Sequence, residues 1–283
     1  MPAQPDAGSN DALASMDRSP ITSTANPLAK RVRALLAQRT RRQEEGAFVV
    51  EGIHPVWRAV ESSAAVECLI VAPELLHSEP ARSMVLEQGH AGMSVITVSS
   101  AVFQSFTERE HPSGLAAILR MPHRSLAELQ VTPEALFVAL HEAGNPGNLG
   151  TIIRTAAAVA GAGVITIGAS ADPYHPTAVK AAMGALFTAP VVQLPDLAAL
   201  LAWSQRQGIT VVTTSSHADQ AHWSSTYPLP CVLLFGSEAE GLSEEVLAQG
   251  DLAVRIPMDE ATGSLNLAVA VGILLYEVRR GQR

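Results

Sequence analysis

Apolar and polar positions along this chain fall into two rhythms. Short dense apolar runs, such as "AFVVEG" (47–52), "VECLIVA" (66–72) and "SVITVS" (94–99), end at glycine or small polar residues and read as strands. Further on the same signal returns in "LFVAL" (136–140), "VITIG" (164–168), "ITVVTTSS" (209–216), "CVLLFGS" (231–237) and "LAVRIPM" (252–258). Between them lie stretches with a helical period. These are "PLAKRVRALLAQRTRR" (27–42), "HPVWRAVES" (54–62), "TIIRTAAAVAGA" (151–162), "AVKAAMGAL" (178–186), "LPDLAALLAWSQRQG" (194–208) and "SLNLAVAVGILLYEVRR" (264–280). Strands alternating with helices predict an α/β fold. Residues 121–133, with two prolines and little periodicity, predict a linker between two α/β units. Residues 1–26 show no period and are expected to form a disordered tail. The organisation expected is therefore a tail (1–26), a first domain (27–122), a linker (123–133) and a second domain (134–283).

Composition narrows the function. The net charge of −8 argues against a generally basic coat for nucleic acid, which needs many Lys/Arg–phosphate contacts. A local patch is a different matter: Lys30, Arg31, Arg33, Arg39, Arg41 and Arg42 cluster on the helix expected over 27–42, beside an apolar stripe of Val32, Leu35 and Leu36. A solvated helix face explains such a cluster, and so does a phosphate-contacting surface. The two cysteines, Cys68 and Cys231, form neither a CxxC metal spacing nor a disulfide framework, which suits a reducing cytoplasm. The apolar run Leu267 to Leu275 is too short to span a bilayer, so no membrane partner is expected.

Three polar loops, 144–150, 235–243 and 257–264, follow strand-like runs. In open parallel sheets ligands sit beyond the carboxyl ends of the strands, so these loops should converge. They carry neither a GxxxxGK[ST] nor a GxGxxG phosphate cradle, no GxSxG elbow and no metal-ligand spacing. Small, acidic and rich in backbone amides, they suit a neutral or cationic ligand. Within them several residues stand out. Arg154 is the one charge in an almost wholly apolar helix, where burial would demand a partner or a function. Asn145 and Asn148 flank a Pro-Gly turn that turn chemistry alone could explain. Glu238 either faces solvent or helps orient Arg154 or substrate. Ser264 is positioned to cap the last helix. Asn266, a lone polar group on an apolar face, should bond inside the site or across a dimer.

These segments resemble a known family. "NPGNLGTIIRTAAAVA" (145–160), "LLFGSEAEGLS" (233–243) and "IPMDEATGSLNLAVAVGILLYE" (256–277) are similar, in order and register, to the three signatures of the SpoU/TrmH branch of the SPOUT methyltransferases. "RRQEEGAFVVEGIHPVWRAV" (41–60) resembles the L30e-like substrate-binding domain that these enzymes carry. The resemblance implies a C-terminal α/β domain with a deep trefoil knot, S-adenosylmethionine bent in the knotted loops, and a homodimer formed through the C-terminal domain. It also implies methylation of a ribose 2′-hydroxyl of RNA. Cofactor contacts carried over by motif are Gly236, Ile256 and Leu265, with Thr214 and Met258 as looser assignments; the catalytic set would be Arg154, Asn145, Glu238, Ser264 and Asn266. Family accounts have the arginine help deprotonate the hydroxyl. Because a guanidinium stays protonated, a grip on the phosphate and on the developing alkoxide fits its chemistry better. Where the family often has glycine, two residues past Met258, this chain has Glu260, as do some members of the thiostrepton-resistance type in lacking that glycine. A separate first domain favours 23S rRNA as substrate; the arginine-biased composition and the Glu260 departure point to an antibiotic-resistance enzyme as one form of that reading. A tRNA methyltransferase and a non-catalytic RNA-binding protein on the same fold remain alternatives.

Overall fold

The computed structural model describes residues 19–259 and 263–282. Glu260 lies outside the described residues, as do the first 18 residues of the expected tail. The chain divides into two compact units: residues up to Pro122 with Tyr174–Pro176, and His123–Pro173 with Thr177–Arg283.

The first unit opens with helix α1 (Pro27–Ala37), capped by the Asn26 side chain and started by a proline that needs no N–H partner there. A single helix over 27–42 is corrected by the structure. The chain breaks at Gln38, which is extended, and resumes as α2 (Arg39–Glu45). In an unbroken helix the Leu35 and Leu36 carbonyls would accept from the next turn; here the Arg42 guanidinium folds back and donates to both, at 2.7 and 3.2 Å. Strand β1 (Ala47–Glu51) follows, then α3 (Ile53–Glu61), β2 (Val66–Val71), α4 (Glu79–His90), β3 (Val95–Thr97), α5 (Ser100–Gln104) and β4 (Leu115–Arg120). The sheet order is β1-β4-β2-β3, antiparallel except for β2 with β3. The tail expectation also reaches too far. Ile21 pairs with Val98, donating its N–H to Thr97 and accepting from Ser99, and packs on the core formed by Val32, Leu35, Val49 and Ile70. That burial is reason enough for this stretch to be held.

The second unit is a seven-stranded parallel sheet. Its elements are β5 (Leu136–His141), α6 (Pro146–Ala158), β6 (Gly163–Ile167), α7 (Pro176–Ala182), β7 (Val191–Leu194), α8 (Leu197–Gln207), β8 (Thr210–Thr214), β9 (Gln220–Ala221), β10 (Cys231–Phe235), α9 (Glu244–Leu247), β11 (Leu252–Arg255) and α10 (Leu267–Arg280). The order is β7-β6-β5-β10-β8-β11-β9, with every paired neighbour parallel. Central strands β5, β6 and β10 are buried on both faces, which is why their sequences read as unbroken apolar runs. The chain first winds outward from β5 through β6 to β7. It then crosses to β8, and β10 slots between β5 and β8. The strand order thus reverses at β5/β10, and in such sheets ligands bind beyond the carboxyl ends of the strands. Among the described residues no helix is long and apolar enough to cross a membrane, and no group of three or more His, Cys, Asp or Glu could hold a metal ion.

Candidate active site

After β5, Asn145 caps α6: its Oδ1 accepts from the amides of Gly147 and Asn148 at 2.8 and 3.0 Å. At the β10 end the loop doubles back so tightly that Ser237 bridges Gly241. A Cβ on Gly236 would stand 2.0 Å from the carbonyl carbon and oxygen of Gly241 and 2.5 Å from the Leu242 nitrogen. Only glycine fits this turn. Gly241 takes a φ of 70°, which glycine adopts without strain.

Glu238 ties the two loops together. Its carboxylate accepts from the Gly144 and Asn145 amides at 3.1 and 3.3 Å and from the Asn148 side chain at 3.0 Å. A carboxylate at the start of α6 also complements the helix dipole. Burial pushes its pKa up, but the hydrogen bonds from Asn148 and the loop amides outweigh burial and hold it below the ordinary carboxylate value. The chain of contacts goes on from Asn148, whose Oδ1 accepts from Asn266 Nδ2 at 3.0 Å. Asn266 in turn caps α10 through its Oδ1, which accepts from Ala268 and Val269. Ser264 is therefore not the cap; the last helix begins two residues later than the sequence suggests, and the asparagine does that work. The two capped helices also meet at their far ends. Arg279 of α10 donates to the carbonyls of Val159 and Ala160, just past α6, and of Glu134.

A cavity of about 660 Å³ opens beside this network. Thr214, Gly236, Ile256, Met258 and Leu265, the five expected cofactor contacts, all line it, as do Glu238 and Ser264. Its walls are apolar where Phe235, Leu267 and Leu274 contribute; among the described residues three carboxylates, Glu238, Glu240 and Glu244, line it and no lysine or arginine does. A wider depression of about 1140 Å³ along α8, lined by Leu197, Leu201 and Asp251 among others, gathers none of the motif residues. The 660 Å³ cavity fits S-adenosylmethionine on its own chemistry. Apolar walls suit an adenine ring, the acidic lining suits a sulfonium, and a glycine-tight loop lets backbone approach a ligand closely.

Other expectations need correction. Arg154 is not buried: it stands on the exposed side of α6, with no hydrogen bond or ion pair among the described residues. The apolar residues that suggested burial, Ile152, Ile153 and Ala156, are themselves buried on the opposite side of the helix. In the first unit Arg42 cannot touch phosphate, being 1% exposed and spent on helix carbonyls. Arg31 is bound between Glu45 and Glu67, and its pKa is raised chiefly by the hydrogen bond to Glu67. Arg33 donates to Ser105 and the Thr24 carbonyl, and Arg41 pairs with Glu45. Lys30, Arg39 and Arg41 are exposed. Asn148, which turn chemistry seemed able to explain, proves to be the node of the network, while the Asn145 side chain serves its own helix cap.

Comparison with known proteins follows from this geometry. The SpoU rRNA Methylase family model matches residues 135–276, and an MRM3-like substrate binding domain model matches residues 26–117. The chain is 32% identical over 253 residues to the 23S rRNA (uridine(2479)-2′-O)-methyltransferase of Streptomyces viridochromogenes, covering 87% of each protein. It is 28% identical to the 23S rRNA (guanosine(2553)-2′-O)-methyltransferase RlmP of Bacillus subtilis, covering 84% of this chain and 90% of that one. A crystal structure of an AdoMet-bound rRNA methyltransferase from Sinorhizobium meliloti superposes with a TM-score of 0.84 at 32% identity, over 93% of this chain and 97% of that one.

Proposed function

The chain belongs to the SpoU rRNA methylase family, and from that premise we propose how its own residues perform S-adenosylmethionine-dependent methylation of an RNA ribose 2′-hydroxyl. The observation that carries the reading is convergence. Residues 236–242 and Ile256, Met258 and Gly263–Leu265 line one acidic cavity, Glu238 and Asn266 tie the 144–148 loop to it, and an unpaired guanidinium stands on the helix that this loop begins.

S-adenosylmethionine supplies an electrophilic methyl group on a sulfonium centre. Gly236, Ile256 and Leu265 would hold it, with Thr214 and Met258 on the same cavity wall. Glu238, Asn148 and Asn266 keep the three loops in register. Arg154 grips a phosphate of the RNA and stabilises the alkoxide that develops as the 2′-oxygen attacks. The 2′-hydroxyl proton passes to a phosphate oxygen or to water, since the guanidinium itself stays protonated. Ser264, on the cavity wall, and Asn145, at the start of α6, border the path of the ribose.

The finer readings belong to the same proposal. The substrate is 23S rRNA, as in the names of the two relatives, and the role extends to antibiotic resistance. The cytoplasm is where such RNA is met. The first unit, with its four-stranded sheet flanked by helices, acts as an L30e-like RNA-holding domain over 27–122; exposed Lys30, Arg39 and Arg41 supply its phosphate contacts. The 134–283 domain threads the segment leading into α10 through the loop after β10 as a deep trefoil knot, consistent with cavity walls contributed by both. It pairs with a second copy across α6 and α10. Val269 and Tyr276, seven residues apart on α10, are 51% and 58% exposed, an apolar stripe suited to a partner. The test is Arg154→Ala, which should cut the transfer rate about 10²–10³-fold and leave cofactor affinity unchanged. Near-normal turnover would overturn the assignment.

A further inference from the structure

Helix α7 meets the Arg154-bearing helix at unusually close range. A Cβ on Gly150 would stand 2.3 Å from the Ala178 carbonyl oxygen and 2.7 Å from the Ala181 side chain, and one on Gly147 would stand 3.7 Å from Thr177. These glycines let α7 lie directly on α6. Arg154 follows Gly150 by four residues, so it stands over the same face of α6, one turn along. Lys180 lies next to Ala181 and three residues beyond Thr177, on the open rim of the same seam; both Thr177 and Lys180 are exposed. Arg154 and Lys180 thus lie exposed on the two helices that meet at this seam.

The cations of this unit are held unequally, and Arg206, like Arg154 and Lys180, makes no hydrogen bond or ion pair among the described residues. Arg255, Arg279 and Arg280 each donate to a carbonyl or a carboxylate of the chain. Neither Arg154 nor Lys180 has such a partner among the described residues. Two exposed cations without partners, one on each helix of the seam, on a protein of net charge −8, mark a place for a polyanion. A third feature adjoins them. Helix α7 does not run on to 186 as its sequence period suggests; it stops at Ala182, and Met183 follows with a φ of 49°, its N–H donating to the Lys180 carbonyl. Side chains other than glycine are disfavoured in this left-handed conformation. Strain of this kind concentrates where function holds it. The result is a methionine 42% exposed, presented beside Lys180.

We propose that the α6–α7 seam is an RNA contact in its own right: Lys180 binds a backbone phosphate next to the one held by Arg154, and Met183 offers an apolar face to the adjoining unstacked nucleotide. This rests on the RNA-methyltransferase reading and extends its substrate path from the cofactor cavity across α7. Phosphate contacts of this kind position the strand without reading its sequence.

The test uses the full-length protein and a 23S rRNA transcript as probe. RNA affinity is measured across a salt series, methyl transfer gives KM and kcat, and S-adenosylmethionine is titrated separately. Lys180→Gln should lower the slope of log affinity against log salt by about one and raise the KM for RNA several-fold, with cofactor affinity and melting temperature unchanged. Met183→Gly should melt at or above the wild-type temperature, because glycine accepts the backbone angle, yet bind RNA at least about threefold more weakly. A wild-type salt slope and KM in Lys180→Gln would overturn the phosphate contact, and wild-type RNA affinity in Met183→Gly would overturn the apolar one. A wild-type protein that transfers no methyl group to RNA would instead sink the underlying function, whatever the variants do.

Discussion

Replacing Gly236 by alanine should disable the cofactor cavity through backbone geometry alone. The new Cβ would stand 2.0 Å from the Gly241 carbonyl, whereas ordinary contact begins at 3.4 Å, so the 236–242 loop must open by about 1.4 Å. The clashing atoms are main chain, so no side chain can swing away. Overpacking of this kind costs about 1–3 kcal/mol. Bound cofactor would restore the wild-type loop only by supplying that energy, which at 1.4 kcal/mol per tenfold weakens binding about 5- to 150-fold. Displacing the loop also moves Glu238 off the Gly144, Asn145 and Asn148 groups it binds, so folded stability should fall as well. Isothermal titration with S-adenosylmethionine and thermal melting measure the two effects. Gly281→Ala is the control: it lies away from the cavity, a Cβ there meets nothing closer than 3.7 Å, and it should bind as wild type does. Wild-type affinity in Gly236→Ala would refute the claim that this loop's close approach shapes the site.

Other consequences follow from the same contacts. Arg42→Leu should destabilise the protein by about 3–5 kcal/mol in urea unfolding, since a buried and a partly buried charged hydrogen bond vanish and leave carbonyls unmet; Lys30→Gln should leave stability alone and lower the RNA salt slope by about one. Because the Glu238 carboxyl is depressed, its stabilising contribution is present above the unfolded carboxylate range and is lost as pH falls through the folded value. Melting curves should therefore show Glu238→Gln less stable than wild type at neutral pH, with the gap closing in acid; a gap independent of pH would count against the clamp. Val269→Asp with Tyr276→Asp should turn a dimer into a monomer by light scattering, and a wild-type protein that is monomeric at micromolar concentration would remove the paired-subunit reading.

The sheet was legible where burial is uniform: β5, β6 and β10 are two-sided core strands, and their apolar runs declare it. Strand β4 escaped notice because "LAAIL" is alanine-rich and short, though it lies at the centre of the first sheet. What periodicity cannot supply is the direction in which a residue faces. Arg154 looked buried because its helix is apolar, yet one exposed sector suffices to hold it in water. The basic cluster looked like a surface because charge is counted along the sequence; that Arg42 turns inward depends on the break at Gln38, a tertiary event. Helix starts slipped by the spacing of equivalent caps, Ser264 against Asn266. The role of Asn148 becomes visible only when loops almost a hundred residues apart are brought together.

The central claim is the chemical identity of the product. The wild-type protein, 23S rRNA and S-adenosylmethionine carrying a labelled methyl group should yield RNA in which the label resists alkaline hydrolysis at one linkage and remains on the ribose after digestion to nucleosides. Label recovered on a base, or none transferred while the cofactor binds, would contradict the account.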